Sequence, residues 1–313
     1  MSSYYSNYRN YLLHTSPFYR LLFVLLLVLL FFLLTSFVGL AVIMISYGLN
    51  LQEISFIMDN PDSSHVALLK LQQVILSTGM FIVPAFIASF FLGTRSTSYL
   101  KMDVMPSWPG IILVSMMMIV WIPVINFTAS LNAKLNLPDS WAVLEKEIIT
   151  LRDNYSELTN LFLETRSMAD FFANLAMMAI LPAIGEELMF RGIFQRIFSD
   201  WTRNVHWGII ITSLLFSFFH FEFYGFLPRF LLGMLFGYLF VWTASIWIPM
   251  LAHFINNGII VGYYFFRPPG KGSSELDELG THADLFFWLS LGGGMLLLAA
   301  LFYHERSHRI SGS

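Results

Sequence analysis

Apolar runs dominate this chain, and polar residues interrupt them at intervals close to a bilayer's thickness. A helix needs roughly 20 mainly apolar residues to cross about 30 Å of hydrocarbon. Stretches of about that length lie at 20–47, 73–93, 109–129, 169–198, 207–223, 226–244, 246–266 and 283–303. The spacing predicts an all-α polytopic membrane protein with about eight transmembrane helices. Between the third and fourth, residues 130–168 change character. After Pro138-Asp139-Ser140, apolar residues fall at Trp141, Leu144, Ile148, Leu151, Tyr155, Leu158 and Phe162. Steps of three and four predict an amphipathic helix, capped by Ser140 or Asp139, lying on the outer membrane face or the top of the bundle. No repeat or low-complexity linker divides the chain, which reads as one membrane domain over residues 1–313.

Composition agrees with the pattern. Charged residues make up 12% of the chain and hydrophobic ones 57%, against about 25% charged in soluble domains. The formal net charge of -3 comes with no basic run, so nothing suggests a nucleic-acid partner. There is no cysteine, which excludes disulfides, thiol catalysis and Cys-ligated metal. The first apolar stretch is too long for a signal-peptide core and lacks a small-residue cleavage site, so it is expected to stay as an anchor. Bases without acids precede it, at Arg9 and Arg20, and Arg95 and Lys101 follow the second stretch, whereas residues 48–72, 130–168 and 267–282 are acid-rich. The alternation predicts both termini on the cytoplasmic side. The implied location is the plasma (inner) membrane of a bacterium.

The segment 184–198 reads IGEELMFRGIFQRIF, with two acids and a base inside an apolar helix. Charges there cost several kcal/mol on insertion scales and usually have a task and a partner. Glu187 and Arg191 are four apart, acid first, the better orientation for a helical ion pair. Glu186 is rotated by about 100° from Glu187 and need not share that pair. Further polar residues lie at His220 in FSFFHFEF and at His253 and Asn257 in LAHFINNG. At ~1.5 Å per residue from the cytoplasmic helix ends, Glu186 lies at about 18 Å, His220 at about 20 Å, His253 at about 10 Å and Asn257 at about 16 Å. All four can meet in one layer, and Pro182 and Gly185 can loosen the fourth helix enough to admit water.

A carboxylate with an imidazole can deprotonate water, and a second imidazole with an amide can hydrogen-bond a developing oxyanion. Two histidines and a glutamate (Glu186, His220, His253) also form a conceivable zinc set, although no H-E-x-x-H helix occurs. Other classes would use the same residues: a structural charge cluster, a proton-coupled transporter or channel, or a membrane scaffold or immunity protein that binds without cleaving. Clustering of the polar residues in one half of the chain favours the enzyme over a transporter built from repeats.

The residues resemble those of the CAAX prenyl endopeptidase and bacteriocin-processing (CPBP, or Abi) intramembrane proteases. The family's E-E-x-x-x-R is matched by Glu186, Glu187 and Arg191, its F-x-x-x-H by Phe216 and His220, and its H-x-x-x-N/D by His253 and Asn257. The resemblance covers about residues 170–262. It implies about eight membrane helices and an endopeptidase acting on a membrane-associated peptide or protein, lipidated or not. It assigns water activation to Glu186 and His220 and oxyanion stabilisation to His253 and Asn257, with Glu187 and Arg191 in support. No cofactor is expected; zinc, were it used, would sit on Glu186, His220 and His253.

Overall fold

The computed structural model describes residues 11–135, 138–164, 167–266 and 278–311. Among them every regular element is helical. The elements that position the site are α1 (Pro17–Tyr47), α2 (Leu51–Asp59), α3 (Ser63–Leu92), α4 (Trp108–Val120) and α5 (Ile122–Ala133). They continue with α6 (Ala142–Leu163), α7 (Met168–Thr202), α8 (Val205–Phe218), α9 (Phe223–Thr243), α10 (Trp247–Phe266) and α11 (Leu285–Ser311).

Where about eight spans were expected, five helices among the described residues are long and apolar enough to cross a membrane, or six if α4 and α5 count as one broken span. Pro123 stands in the first turn of α5, and its missing N–H and ring bulk account for the 45° bend at Trp121. The stretch predicted at 207–223 folds as α8, only 14 residues long, because the chain turns at His220 and Phe221. Phe221 takes a left-handed φ of 49°, which stops the helix. The stretch at 246–266 becomes α10, which has 20 residues and is more polar than the helices counted above. His253, Asn256 and Asn257 lower its apolarity, and these are residues of the candidate site.

Three apolar clusters hold the bundle together. In the first, Leu188, Phe190, Ile193 and Phe194 of α7 pack with Val24 of α1, Ala85 and Ala88 of α3, Phe216 and Met250. The second joins α4, α9, α10 and α11 through Val114, Phe236, Ala252 and Leu301. The third joins Ile43, Ile54, Leu68, Phe162 and Met177. Helix α7 therefore sits at the centre, while α1 turns residues such as Leu26, Leu30 and Phe37 outward, as a lipid-facing helix must.

The predicted amphipathic helix is present as α6. Its C-terminal turns bury Phe162 and Leu163, but Trp141, Leu144 and Leu151 stay exposed. The expected Ser or Asp cap is absent: Trp141 occupies the N-cap and makes no side-chain bond there.

At one end of the bundle, polar contacts tie the helix termini together. Arg20 at the start of α1 pairs with Asp200 at the end of α7, 2.8 Å apart. Arg196 donates to the Tyr99 carbonyl in the segment after α3, and Ser107 at the start of α4 donates to Glu305 near the end of α11, at 3.0 Å. Arg9 and residues 267–277, used in the charge argument, lie outside the described residues.

Candidate functional site

Glu187 and Arg191 form the predicted ion pair, Oε1 to Nη1 2.9 Å, with side chains 0% and 1% exposed. So deep a pair needs further partners, and two neighbouring helices supply them. Arg191 Nη2 donates to the Gly233 carbonyl of α9 at 3.0 Å, and its guanidinium lies 4.7 Å from the Phe216 ring centre and 5.4 Å from that of Phe236. Gly233 and Gly237 share one face of α9, where a Cβ would come within 3.0 Å of Ser213 and 2.8 Å of Ile209. Small residues four apart let helices approach this closely.

The same Glu187 oxygen accepts a second hydrogen bond, from His253 Nδ1 at 2.8 Å. This link was not anticipated from sequence, which gave Glu187 to Arg191 alone. It aims His253 Nε2 at Glu186, 3.8 Å from Oε2. Phe236 stacks on the imidazole, with centroids 5.4 Å apart and planes at 22°, and fixes its plane.

His220 is placed differently from expectation. It lies two residues beyond α8, in the turn closed by Phe221. Its backbone N–H bonds to Ser217 O, and ring Nδ1 takes the place on Phe216 O, four residues back, at 2.8 Å. Because a carbonyl only accepts, Nδ1 carries the hydrogen. Nε2 is left facing Glu186 Oε2 at 3.9 Å. The F-x-x-x-H spacing thus has a geometric cause: four residues bring the carbonyl under the imidazole, and the Phe216 ring meets the edges of both His220 and His253.

Glu186 itself, 13% exposed at its side chain, keeps Oε2 free of hydrogen bonds from the described residues. It lies on the wall of a cavity of about 430 Å³ that also touches His220, His253, Asn257, Tyr155 and Arg229. The structure therefore brings together all four residues predicted to share a layer. Asn257 Nδ2 is already engaged, donating to Met178 O of α7 at 3.1 Å. Several cavity residues were missed, among them Arg229, paired with Glu222, Asn256 and Tyr155. Tyr155 was counted as one more apolar position of α6. Steps of one helical turn from known site residues would have found Asn256, but nothing local marks Tyr155.

The ligand geometry bears on zinc. Ligating histidines usually donate their other ring N–H to a carboxylate or carbonyl, and here Glu187 and the Phe216 carbonyl accept such bonds from His253 and His220. Catalytic zinc also needs three protein ligands about 2.0–2.2 Å from one point, and no three His, Asp or Glu among the described residues are so gathered. The residues as placed do not form a ligand set.

Residues 168–259 match the family model of the type II CAAX prenyl endopeptidase Rce1-like proteins, and the matched segment contains all three motifs. The uncharacterized protein YpbD of Bacillus subtilis (strain 168) is 30% identical over 86 residues. That alignment covers 26% of this chain and 41% of the relative, so the chain matches less than half of that protein's length. No solved structure matches.

Proposed function

We propose that this chain, whose residues 168–259 form an Rce1-like family domain, is a multi-pass intramembrane endopeptidase that hydrolyses a peptide bond with activated water. The observation that carries this is the approach of Glu186 Oε2 to two imidazole Nε2 atoms, 3.9 Å for His220 and 3.8 Å for His253, on the wall of one cavity. These gaps are too long for direct hydrogen bonds and suit groups that share a water or a substrate oxygen.

In this reading Glu186 and the Nε2 lone pair of His220 accept hydrogen bonds from the attacking water. Glu186 takes one proton as the water oxygen bonds to the scissile carbonyl carbon. The carbonyl oxygen becomes an oxyanion, held by Nε2–H of His253 and by the N–H of Asn257 not used on Met178. Collapse breaks the C–N bond, and the proton on Glu186 passes to the departing amine. His253 can donate at Nε2 while also donating at Nδ1 only as an imidazolium. Both termini face the cytoplasm in this proposal, with Arg20, Arg95, Lys101, Arg196 and Arg203 on that side.

Comparative proteomics of membranes containing the wild type or Glu186→Gln tests the function. A membrane protein or peptide shortened only by the wild type is expected, and purified wild-type chain should reproduce the cut. Identical proteomes at full expression would reject a peptidase and favour a scaffold.

A further inference from the structure

Pro182 breaks the hydrogen-bond ladder of α7 four residues before Glu186. Proline has no N–H to give the preceding turn: the Leu181 N–H reaches five residues back, to Ala176 O, and the next carbonyls, up to Met178 O four residues before Pro182, fall at the break. The last of these is met from another helix instead: Asn257 Nδ2 of α10 donates to Met178 O at 3.1 Å. The amide is oriented from its other end, because Asn256 Nδ2 donates to Asn257 Oδ1 at 3.1 Å. Since a carbonyl only accepts, the nitrogen of Asn257 must be the atom facing Met178. Local winding changes at the same place. Residues Leu175–Ile180 form a wide π-helical turn, and Pro182 opens the following segment, Leu181–Met189, which carries Glu186 and Glu187. Asn257 is one turn beyond His253, so α10 bears both the imidazole facing Glu186 and the amide that closes the break beneath it.

We infer that Asn257 is a positioning residue, supplying from α10 the hydrogen bond that Pro182 removes from α7. It thereby fixes the height of Glu186 against His253. The catalytic consequence rests on the hydrolytic reading above, while the bond itself does not. The amide has two N–H groups, so this task leaves one for a substrate oxygen.

The inference predicts a coupling between two residues that make no side-chain contact of the usual kind. Asn257→Ala should lower the Tm of the detergent-purified full chain by about 2–3 °C, the shift from losing one such bond. In a Pro182→Ala background, where residue 182 regains its N–H, the same substitution should cost less than half as much. Equal shifts in both backgrounds would overturn the inference. Hydrogen–deuterium exchange of Asn257→Ala reads it even if Pro182→Ala does not fold. Uptake should rise in residues 175–190 and stay unchanged in 285–303; unchanged uptake in 175–190 would refute it. Turnover of the substrate found by proteomics separates positioning from oxyanion binding. Partial recovery of kcat in the double variant relative to Asn257→Ala is expected, and no recovery beside a coupled Tm would remove the positioning role. Should the chain prove not to cleave peptides, the Tm and exchange results still decide the bond.

Discussion

Two adjacent glutamates make different contacts at the centre of the candidate site, and the roles proposed for them follow from what each oxygen touches. Glu187 Oε1 serves Arg191 at 2.9 Å and His253 at 2.8 Å, whereas Glu186 Oε2 serves no described donor. Glu186→Gln should therefore keep the fold and Tm while cutting cleavage by at least about 100-fold, the scale of a lost general base. Glu187→Gln leaves a buried arginine without its counter-charge, a change that costs about 3–5 kcal/mol. Its folded yield and Tm should drop, with activity falling alongside. Fluorescence-detected size exclusion and cleavage assays on both variants check this; a stable, inactive Glu187→Gln beside an active Glu186→Gln would exchange the two roles. Zinc analysis belongs at the same scale. Purified protein is expected to carry less than stoichiometric zinc and to keep its activity after chelation. Stoichiometric zinc whose removal abolishes cleavage, and whose return restores it, would replace water activation by Glu186 with metal chemistry.

Helix ends explain most differences between expectation and structure. A run of apolar residues announces a helix but not where it stops, because the stop is set by single backbone angles. The stretch 207–223 continues in apolar character through Phe218, Phe219 and Phe221, yet the helix ends at Phe218. Phe221 pays for that end in the left-handed region, which costs a non-glycine residue roughly 1–2 kcal/mol, and its side chain is 74% exposed. Phe221→Gly should thus raise the Tm by about 2–4 °C without loss of activity; a fall in Tm would mean that the ring packs on something that matters. By contrast, the pairing of Glu187 with Arg191 was legible, since i,i+4 spacing on one helix fixes it. The meeting of Glu186, His220, His253 and Asn257 was legible through depth along each helix. The bond from His253 to Glu187 was not, because periodicity gives the face of a helix but not its rotation against a neighbour. The same limit hid Tyr155, whose place in the cavity depends on how α6 docks.

At the scale of the whole molecule, the proposed topology needs an even number of crossings: six spans, with α4 and α5 as one, or eight return the chain to its starting side, and five do not. The chain's lack of cysteine makes a labelling test clean. An impermeant maleimide should modify Ser63→Cys in intact cells and Thr97→Cys only after lysis, and the reverse pattern would invert the topology. The cavity size carries a further consequence for whatever is cut. A helix with side chains is about 10–12 Å wide, a cross-section of roughly 80–110 Å², so about 430 Å³ holds about one helical turn. On the proposed hydrolytic reading, a substrate that arrives as a membrane helix would have to unwind before its peptide bond reached Glu186, giving up backbone hydrogen bonds in a medium that offers few replacements. Selection would then act on the ease of melting as well as on side-chain identity: sequences that already fray, through glycine or proline beside the scissile bond, would enter first, and firmly wound neighbours with the same residues at that bond would pass uncut.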